Sequence, residues 1–124
     1  MNRIEPSPRE DLYLVAGGHL GSKPTASQIL CLHPFPFSVK FPAAFTGSIG
    51  TSKTTATATA DCDIRKNGAS IGTLRFSAGI AAPAFLVSAA ITFSAGDYLE
   101  VIAPGSQDAT LQDIAFTLYG RRRR

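Results

Sequence analysis

Residues 55–76 read TATATADCDIRKNGASIGTLRF, and the predicted architecture of the chain starts from them. Over residues 55–64 small apolar and polar residues alternate strictly, which is the two-residue period of a strand with one buried face. Asn67-Gly68 is a pair that tolerates positive φ at both central positions of a type I′ turn, and apolar alternation resumes after it. We therefore predict one long strand over residues 55–64, a tight turn and a second strand, that is, a β-hairpin.

Two details of this hairpin lead to further expectations. Ile71 is out of phase with Leu74 and Phe76, so we expect Gly72 to absorb the slip as a β-bulge. The inward alanines of the first strand leave a shallow face, and interiors do not tolerate voids, so we expect phenylalanines opposite them. An alternative is that the strand approaches a symmetry mate closely at Ala58.

Length and composition indicate a single all-β domain. The chain has 124 residues, enough to bury a core without covalent staples, and too few for two domains. It is 44% hydrophobic and 17% charged, with 11 Gly and 8 Pro, which is typical of an apolar, turn-rich protein and not of a disordered one. No sustained helical period interrupts the alternating pattern.

Further strands are predicted from short apolar or alternating runs bounded by turn residues. These runs are residues 12–16, ending at Gly17-Gly18; 29–32; 37–41; two segments within 80–93; 98–103; and 114–119. With the hairpin they make nine candidate segments, from which we expect about seven or eight strands. That number predicts an antiparallel β-sandwich resembling a jelly roll, with a closed barrel as the alternative.

Three longer loops connect these strands: residues 19–28, 43–53 and 106–113. Within them we expect Phe45 and Ile49 to anchor the second loop, and Leu111 to close one end of the core. Binding residues concentrate on loops held by rigid strands, so these loops are candidate interaction sites.

The charge distribution divides the chain into an arm, a body and a tail. Four of the 12 basic residues are the C-terminal arginines, so the net charge of +3 becomes −1 without them. Residues 1–11 are polar and contain prolines, which predicts an extended arm with no secretory signal; it is either frayed or laid on a neighbouring subunit. The expected organisation is an arm over 1–11, a β-sandwich over 12–120 and a basic tail over 121–124.

The sequence patterns favour no metal, redox or nucleotide site. Cys31 and Cys62 lie in apolar contexts, which favours two reduced, buried thiols over a disulfide. With His19 and His33 they lack the spacing of a zinc site, and the segment around Lys53 lacks the spacing of a phosphate-binding loop. We therefore expect no metal and no cofactor.

The sequence also favours a protein without catalytic activity. Asp61 and Asp63 are the one pair of carboxylates that could suggest a glycan depolymerase, but their spacing places both on the outward face of one strand. Solvated surface charge explains them better. The apolar residues 80–93 are too few and too interrupted to cross a bilayer as a helix, so we expect no membrane insertion.

Several short segments resemble a small β-rich module that recurs in the tail, fibre and accessory proteins of tailed bacteriophages. They are RKNG (65–68), IGT (71–73), FSAGDYL (93–99), AP (103–104) and DATLQDIAFTL (108–118). The resemblance extends over residues 12–120. It implies a non-enzymatic virion structural protein, most simply a tail-associated or fibre module that could bind a host surface receptor, with a capsid decoration protein as the alternative. It also implies a homo-oligomer, with a trimer favoured, and a location in the virion after synthesis in the host cytoplasm.

Residues expected to bind partner proteins are basic or polar and lie in the arm, the loops and the tail. They are Arg3, Arg9, His19, Lys23, Lys53, Gln107, Arg121, Arg122, Arg123 and Arg124. For the arginine run three readings stay open: a solvated tail, an anchor on an acidic protein surface, or a contact with packaged DNA. A nucleic-acid partner for the whole module is not expected, because no face combines spread cations with stacking aromatics.

Overall fold

The computed structural model describes the backbone of residues 10–123 and the side chains of residues 11–122. Within these residues the chain forms ten strands. They are β1 (Glu10–His19), β2 (Ile29–Pro34), β3 (Val39–Phe41), β4 (Ile49–Thr54), β5 (Ala60–Lys66), β6 (Ala69–Phe76), β7 (Ala84–Leu86), β8 (Ile91–Phe93), β9 (Tyr98–Ile102) and β10 (Gln112–Arg123). A single short turn of helix lies at Ala43–Phe45 in this part of the chain. The predicted all-β class is confirmed.

The strands form two antiparallel sheets packed face to face. The front sheet has the order β1-β10-β3-β8, with β4 also beside β10, and the back sheet has the order β2-β9-β5-β6-β7. β1 pairs with β10, β2 with β9 and β3 with β8, so the chain is rolled up as nested antiparallel pairs. This is the strand order of a jelly roll, and it confirms the predicted β-sandwich. Each sheet has open edges in the described residues, so the closed barrel is ruled out for them.

The structure has more strands than the seven or eight expected, and the main addition is β4, which lies beside β10. β3 and β4 lie along the same side of β10, and the chain leaves that side between them after Pro42, which has no N–H to donate. The hydroxyl of Ser48 accepts a hydrogen bond from the Tyr119 N–H at 2.8 Å, which satisfies the amide exposed by the gap. The loop expected over residues 43–53 was therefore half wrong, because its second half is β4. Phe45 is a buried anchor as predicted, whereas Ile49 is 72% exposed and is not.

The hairpin turn and its bulge are found where the residues predict them. Asn67 and Gly68 connect β5 to β6 with φ of 51° and 87°, the positive pair that a type I′ turn requires. Ile64 pairs with Gly72 and the next residue, Arg65, pairs with Ser70. Ile71 is thus the extra residue of a β-bulge next to Gly72, and the phase slip is confirmed.

The first strand of the hairpin is shorter than predicted. β5 begins at Ala60, and residues 55–59 form a loop in which Ala58 is exposed. The Asp108 carboxylate accepts hydrogen bonds from the N–H groups of Thr57 (3.1 Å) and Ala58 (3.3 Å). These amides are therefore bound by a side chain from elsewhere in the chain and not by a neighbouring strand. The alternating pattern of residues 55–59 does not correspond to a strand.

The first strand is longer than predicted, because Gly17-Gly18 do not stop it. β1 continues to His19 and pairs with β10 along its whole length. A Cβ on Gly17 would lie 2.7 Å from the Phe116 ring, and one on Gly18 would lie 2.2 Å from the Ile114 carbonyl oxygen. The two glycines therefore allow the strand to approach β10 closely, which is a different use of glycine from chain reversal.

Phenylalanines fill most of the space between the sheets. The fully buried ones include Phe35, Phe41, Phe45, Phe76 and Phe93. Phe35 stacks on Phe93 with ring centroids 4.6 Å apart. Ala56 and Ala60 are buried in the same core, where Ala60 pairs with Phe76, and Leu111 closes the core with 2% exposure.

Both cysteines are free and buried, as predicted. Burial raises the pKa of the Cys31 thiol to about 11. Burial, together with the nearby Asp61 charge, raises the pKa of the Cys62 thiol to about 12. Both groups therefore stay protonated and act as small apolar side chains.

The arginine run belongs to a strand and is not a free tail up to residue 123. β10 extends to Arg123, and β1 supplies its partners: Arg121 pairs with Leu12 and Arg122 with Asp11. The expected boundary at residue 120 is therefore wrong, and so is the boundary of the arm, because residues 10 and 11 lie in β1. The rest of the predicted arm, residues 1–9, and residue 124 lie outside the described residues.

Candidate functional site

The outward side of the front sheet is apolar where a solvent-exposed sheet is normally polar. Side chains alternate along its strands, so that Val15 and Phe116 point into the core and their neighbours point out. The outward side of this sheet is called the front face below. Its uncharged residues are Leu12, Leu14, Ala16, Ile49, Thr51, Ala115, Thr117 and Tyr119, and its cations are Lys40, Lys53 and Arg121. Leu12 and Leu14 are each about half exposed, at 52% and 51%. Contiguous apolar area of this kind is typical of a contact surface.

A shallow groove runs across the middle of the front face. Ala16 and Ile49 both lie beside Thr117, on the two strands that flank β10. Together with Thr51 and Ala115 they line the groove, whose small residues leave room for a protruding side chain. The groove thus has the shape to receive an apolar side chain from another molecule.

One end of the front face carries two adjacent cations. Lys40 on β3 lies directly opposite Arg121 on β10, and both are exposed. The Arg121 guanidinium lies 5.6 Å from the Tyr119 ring centroid and donates a hydrogen bond to the Tyr119 hydroxyl at 3.2 Å. Lys40, Arg121, Tyr119 and Pro42 line a hollow, called the cationic corner below. Like charges opposite each other repel, so this arrangement favours an anionic group from outside.

The outward side of the back sheet is charged, and four of its charges form two ion pairs, Arg65 with Asp63 and Arg75 with Asp61. Arg75 donates two hydrogen bonds to Asp61, at 2.8 and 3.0 Å. The hydrogen bond from Arg75 holds the pKa of the Asp61 carboxyl below its ordinary value. Arg65 and Ser70 each donate to Asp63 at 2.6 Å. Asp61 and Asp63 are thus engaged with residues of their own sheet.

Asp108 ties the loops together at the end of the sandwich remote from the cationic corner. Besides the amides of Thr57 and Ala58, its carboxylate accepts hydrogen bonds from the N–H groups of Thr110 and Leu111, both at 2.9 Å. Burial alone raises the pKa of Asp108, but the hydrogen bonds outweigh it and hold that pKa well below its ordinary value. The carboxylate therefore acts as a structural acceptor for two loops.

Three predicted partner-binding residues meet at this same end. His19 is within hydrogen-bond distance of Ser22 (2.7 Å) and Gln28 (2.9 Å). Lys23 donates to the Ala109 carbonyl at 3.1 Å, and Gln107 donates to the Pro24 carbonyl at 3.0 Å. These contacts join residues 20–28 to residues 106–111, so the polar groups expected to bind partners hold the loops to each other.

The predicted arginines separate into different environments. Arg121 lies on the front face, but Arg122 turns toward the core and lies 3.8 Å over the Phe37 ring. Lys53 is exposed at the opposite end of the front face, on β4. Arg3, Arg9, Arg124 and the side chain of Arg123 lie outside the described residues.

An aromatic cluster closes the gap between the sheets on the side of β1 and β2. The Tyr13 hydroxyl and His33 Nε2 are 2.7 Å apart, and the Tyr13 ring contacts Phe37 edge-on with centroids 5.5 Å apart. Burial lowers the pKa of His33 and raises that of Tyr13. The pair is thus held in its uncharged form and packs as part of the structure.

Sequence reasoning missed the residues that form the front face. Residues 12–16 were interpreted as a buried strand because they are apolar at every position. A strand that is apolar on both sides is either buried on both sides or buried on one side and exposed as a contact surface on the other. β1 packs against the core on one side only. The alternation of a strand places Leu12 and Leu14 on the side opposite to Val15, so a buried Val15 leaves both leucines on the outer side of the sheet.

Neither a membrane-spanning helix nor a cluster of metal ligands is found in the described residues. Among residues 10–123 the structure contains no helix of sufficient length and apolarity to span a bilayer. In the same residues no group of three or more His, Cys, Asp and Glu side chains converges on a point where a metal ion could bind.

A scan against protein-family models and searches of curated proteins and of solved structures gave no match to this chain.

Proposed function

We propose that this protein is a non-enzymatic structural protein of a bacteriophage virion, associated with the tail or a fibre, and that it assembles with copies of itself through the front face. The observation that carries the proposal is the exposed apolar surface built around Leu12, Leu14 and Ile49 on a rigid two-sheet scaffold. Water contact with such a surface is unfavourable, and contact with a second apolar surface removes that cost. The bacteriophage assignment comes from the resemblance of the segments described above, and the jelly-roll strand order is compatible with it.

The engaged state of the carboxylates supports a structural role over a glycan-cleaving one. A glycosidase needs one carboxyl group that donates a proton and another that acts as base or nucleophile. Asp61 and Asp63 are bound by Arg75, Arg65 and Ser70, and Asp108 is bound by backbone amides. The hydrogen bonds hold the pKa of the Asp61 and Asp108 carboxyl groups below the ordinary value, which makes these two groups poor proton donors near neutral pH.

Sedimentation of purified variants tests assembly through the front face. We expect the wild-type protein to sediment as a homo-oligomer and Leu14→Glu to sediment as a folded monomer, because a buried carboxylate would face apolar groups. Ile80→Glu is the matched control: Ile80 is 52% exposed against 51% for Leu14, but it lies in the loop after β6. Equal effects of the two substitutions, or a monomeric wild type, would contradict assembly through this face.

Labelling of purified phage particles tests the virion assignment. Antibody against the protein should decorate the tail or its fibres; decoration of the head would favour the capsid decoration alternative. The absence of the protein from particles, measured by mass spectrometry, would reject a virion role while leaving the assembly proposal to the sedimentation result. A host receptor would be identified separately, by loss of adsorption when the protein is blocked.

A further inference from the structure

The back sheet also carries a hollow, and the charge beside it is opposite to that of the cationic corner. It is lined by Leu32, Pro34, Tyr98 and Glu100, on the adjacent strands β2 and β9. Leu32 is 58% exposed and lies directly opposite Glu100. Exposed apolar area therefore lies beside a carboxylate here, just as it lies beside two cations on the front face.

Both surfaces carry a leucine followed, on the next strand, by a charged residue, and these two charges are opposite in sign. On the front face the row is Leu12, Arg121 and Lys40, on β1, β10 and β3. On the back sheet the row is Leu32, Glu100 and Arg65, on β2, β9 and β5. Neighbouring strands are about 4.8 Å apart in any sheet, so a leucine contact and a charge contact can form at the same time between the first two members of each row. The third members, Lys40 and Arg65, are both cations, and Arg65 is held to Asp63 at 2.6 Å.

Arg65 only partly offsets the negative charge of Glu100, because this one guanidinium is shared between Glu100 and Asp63. Its guanidinium donates to Asp63 at 2.6 Å. The outward charges of the back sheet are three carboxylates (Asp61, Asp63 and Glu100) and two guanidiniums (Arg65 and Arg75), an excess of one negative charge. The outward side of the front sheet carries three cations, Lys40, Lys53 and Arg121, and one carboxylate, Asp113 at the start of β10, an excess of two positive charges. The two outer sides of one molecule therefore have opposite net charge.

We propose that the front face of one copy binds the β2–β9 strip of a second copy, with Glu100 of the second copy between Lys40 and Arg121 and its Leu32 against Leu12. This inference rests on the proposed function, because it names the partner of the same surface. The contact joins two different surfaces, so a pair of copies keeps one free front face and one free β2–β9 strip. Contacts of this type close into a ring when the rotation between copies permits and otherwise extend into a filament.

A symmetric contact between two front faces fits the charges less well. It would bring two surfaces with three cations each together, and like-charge contacts across an interface are strongly unfavourable. The front-to-back contact places the cations of each copy against the acidic side of the next. The charge distribution therefore favours the front-to-back arrangement.

Charge reversal measured by sedimentation equilibrium tests this contact. We expect Glu100→Lys to weaken self-association by at least about tenfold, and Lys40→Glu with Arg121→Glu to do the same, since each places like charges together. The triple variant carrying all three substitutions should recover association, because its two surfaces are again opposite in charge. Lys53→Glu is the control for a change in net charge on the front face away from the cationic corner. Glu100→Gln provides a second, smaller perturbation that removes the charge without introducing a new one.

The results distinguish this inference from the proposed function. Loss of association in each charge variant with recovery in the triple variant supports the front-to-back contact. If Leu14→Glu dissociates the oligomer while the Glu100 variants associate as the wild type does, the front face is an assembly surface whose partner is not the β2–β9 strip, and the inference is overturned. A wild type that is monomeric throughout overturns both.

Discussion

The two outer sides of this sandwich are built by the same alternation of residues and are occupied by opposite chemistry. On the back sheet, Asp61 and Asp63 find arginine partners within the sheet at 2.6 to 3.0 Å. On the front sheet, Leu12 and Leu14 are half exposed and Lys40 faces Arg121. Most charges of the back sheet have partners within that sheet, and Leu32 and Glu100 on β2 and β9 are the exceptions used in the proposed contact. The front sheet leaves apolar area and like charges that a second molecule can satisfy.

The difference teaches that strand pattern and surface use are separate properties. Alternation determines which residues enter the core, and the core is similarly apolar beneath both sheets. What differs is whether the outward residues find partners inside the molecule. A sheet with satisfied outward residues contributes to the fold, and a sheet without them offers a contact surface as well.

The largest expected effect separates the inner side of the front sheet from its outer side. Leu118 on β10 is buried at 1% exposure, whereas Leu14 on β1 is 51% exposed. Leu118→Ala should lower the free energy of unfolding of the monomer by about 2–5 kcal/mol, through lost burial and a cavity. Leu14→Ala should lower it by less than about 0.5 kcal/mol. Urea titrations at a concentration where both variants are monomeric measure the two values, and similar losses would contradict the assignment of Leu14 to a surface free in the monomer.

A second, smaller effect is expected at Asp108, which belongs to neither outer side. Asp108→Asn should lower the free energy of unfolding by about 1–3 kcal/mol, because the amide replaces only part of a carboxylate that accepts several backbone hydrogen bonds. Since its folded-state pKa is depressed, the carboxylate stabilises the fold above its unfolded-state pKa of about 3.9, and that contribution is lost as the pH falls through the folded-state pKa.

The pH dependence gives this prediction a second readout. Thermal unfolding measured from about pH 5 to about pH 3 should show a steeper loss of stability for the wild type than for Asp108→Asn. Asp61→Asn serves as a comparison, because that carboxylate contacts an arginine side chain and no loop amides are held by it in the contacts described. Identical pH profiles for the wild type and Asp108→Asn would contradict the role given to Asp108.

Much of the fold follows from the sequence where local geometry leaves little choice. Asn67-Gly68 predicts its turn because few other pairs accept positive φ twice, and both angles are positive. Residues 114–118 of the last strand were predictable for a related reason. Ile114, Phe116 and Leu118 alternate with smaller or polar residues, and all three are buried. In these segments local preference and tertiary packing agree.

Other segments depend on residues far away in the chain, and the sequence could not specify them. The alternating threonines and alanines of residues 55–59 fit a strand as well as a loop, and the hydrogen bonds from Asp108, about 50 residues later, select the loop. Gly17-Gly18 fit a strand end equally well until β10 lies against them. The candidate site was missed for the same reason, since the exposure of Leu12 and Leu14 depends on which strands flank β1.

The smallest expected effect concerns the paired charges of the back sheet. Asp61 and Arg75 are each 44% exposed, so solvent screens their interaction, which should be weak and diminish with added salt. A double-mutant cycle with Asp61→Asn and Arg75→Gln, measured at low and high salt, gives the coupling energy. Neither substitution should alter sedimentation, because this pair lies away from the proposed contact on β2 and β9; dissociation of the oligomer by either one would contradict the proposed boundary of the interface.

Hydroxyl-radical footprinting of concentrated and diluted protein tests most directly whether the front sheet is an assembly surface. Leu12, Leu14, Ile49 and Tyr119 should be protected from labelling in concentrated protein and become labelled on dilution, while Ile80 and Leu86, which are also exposed in one molecule, should label equally under both conditions. Labelling of the front face that does not change with concentration, in a sample whose sedimentation shows it to be oligomeric, would contradict the account.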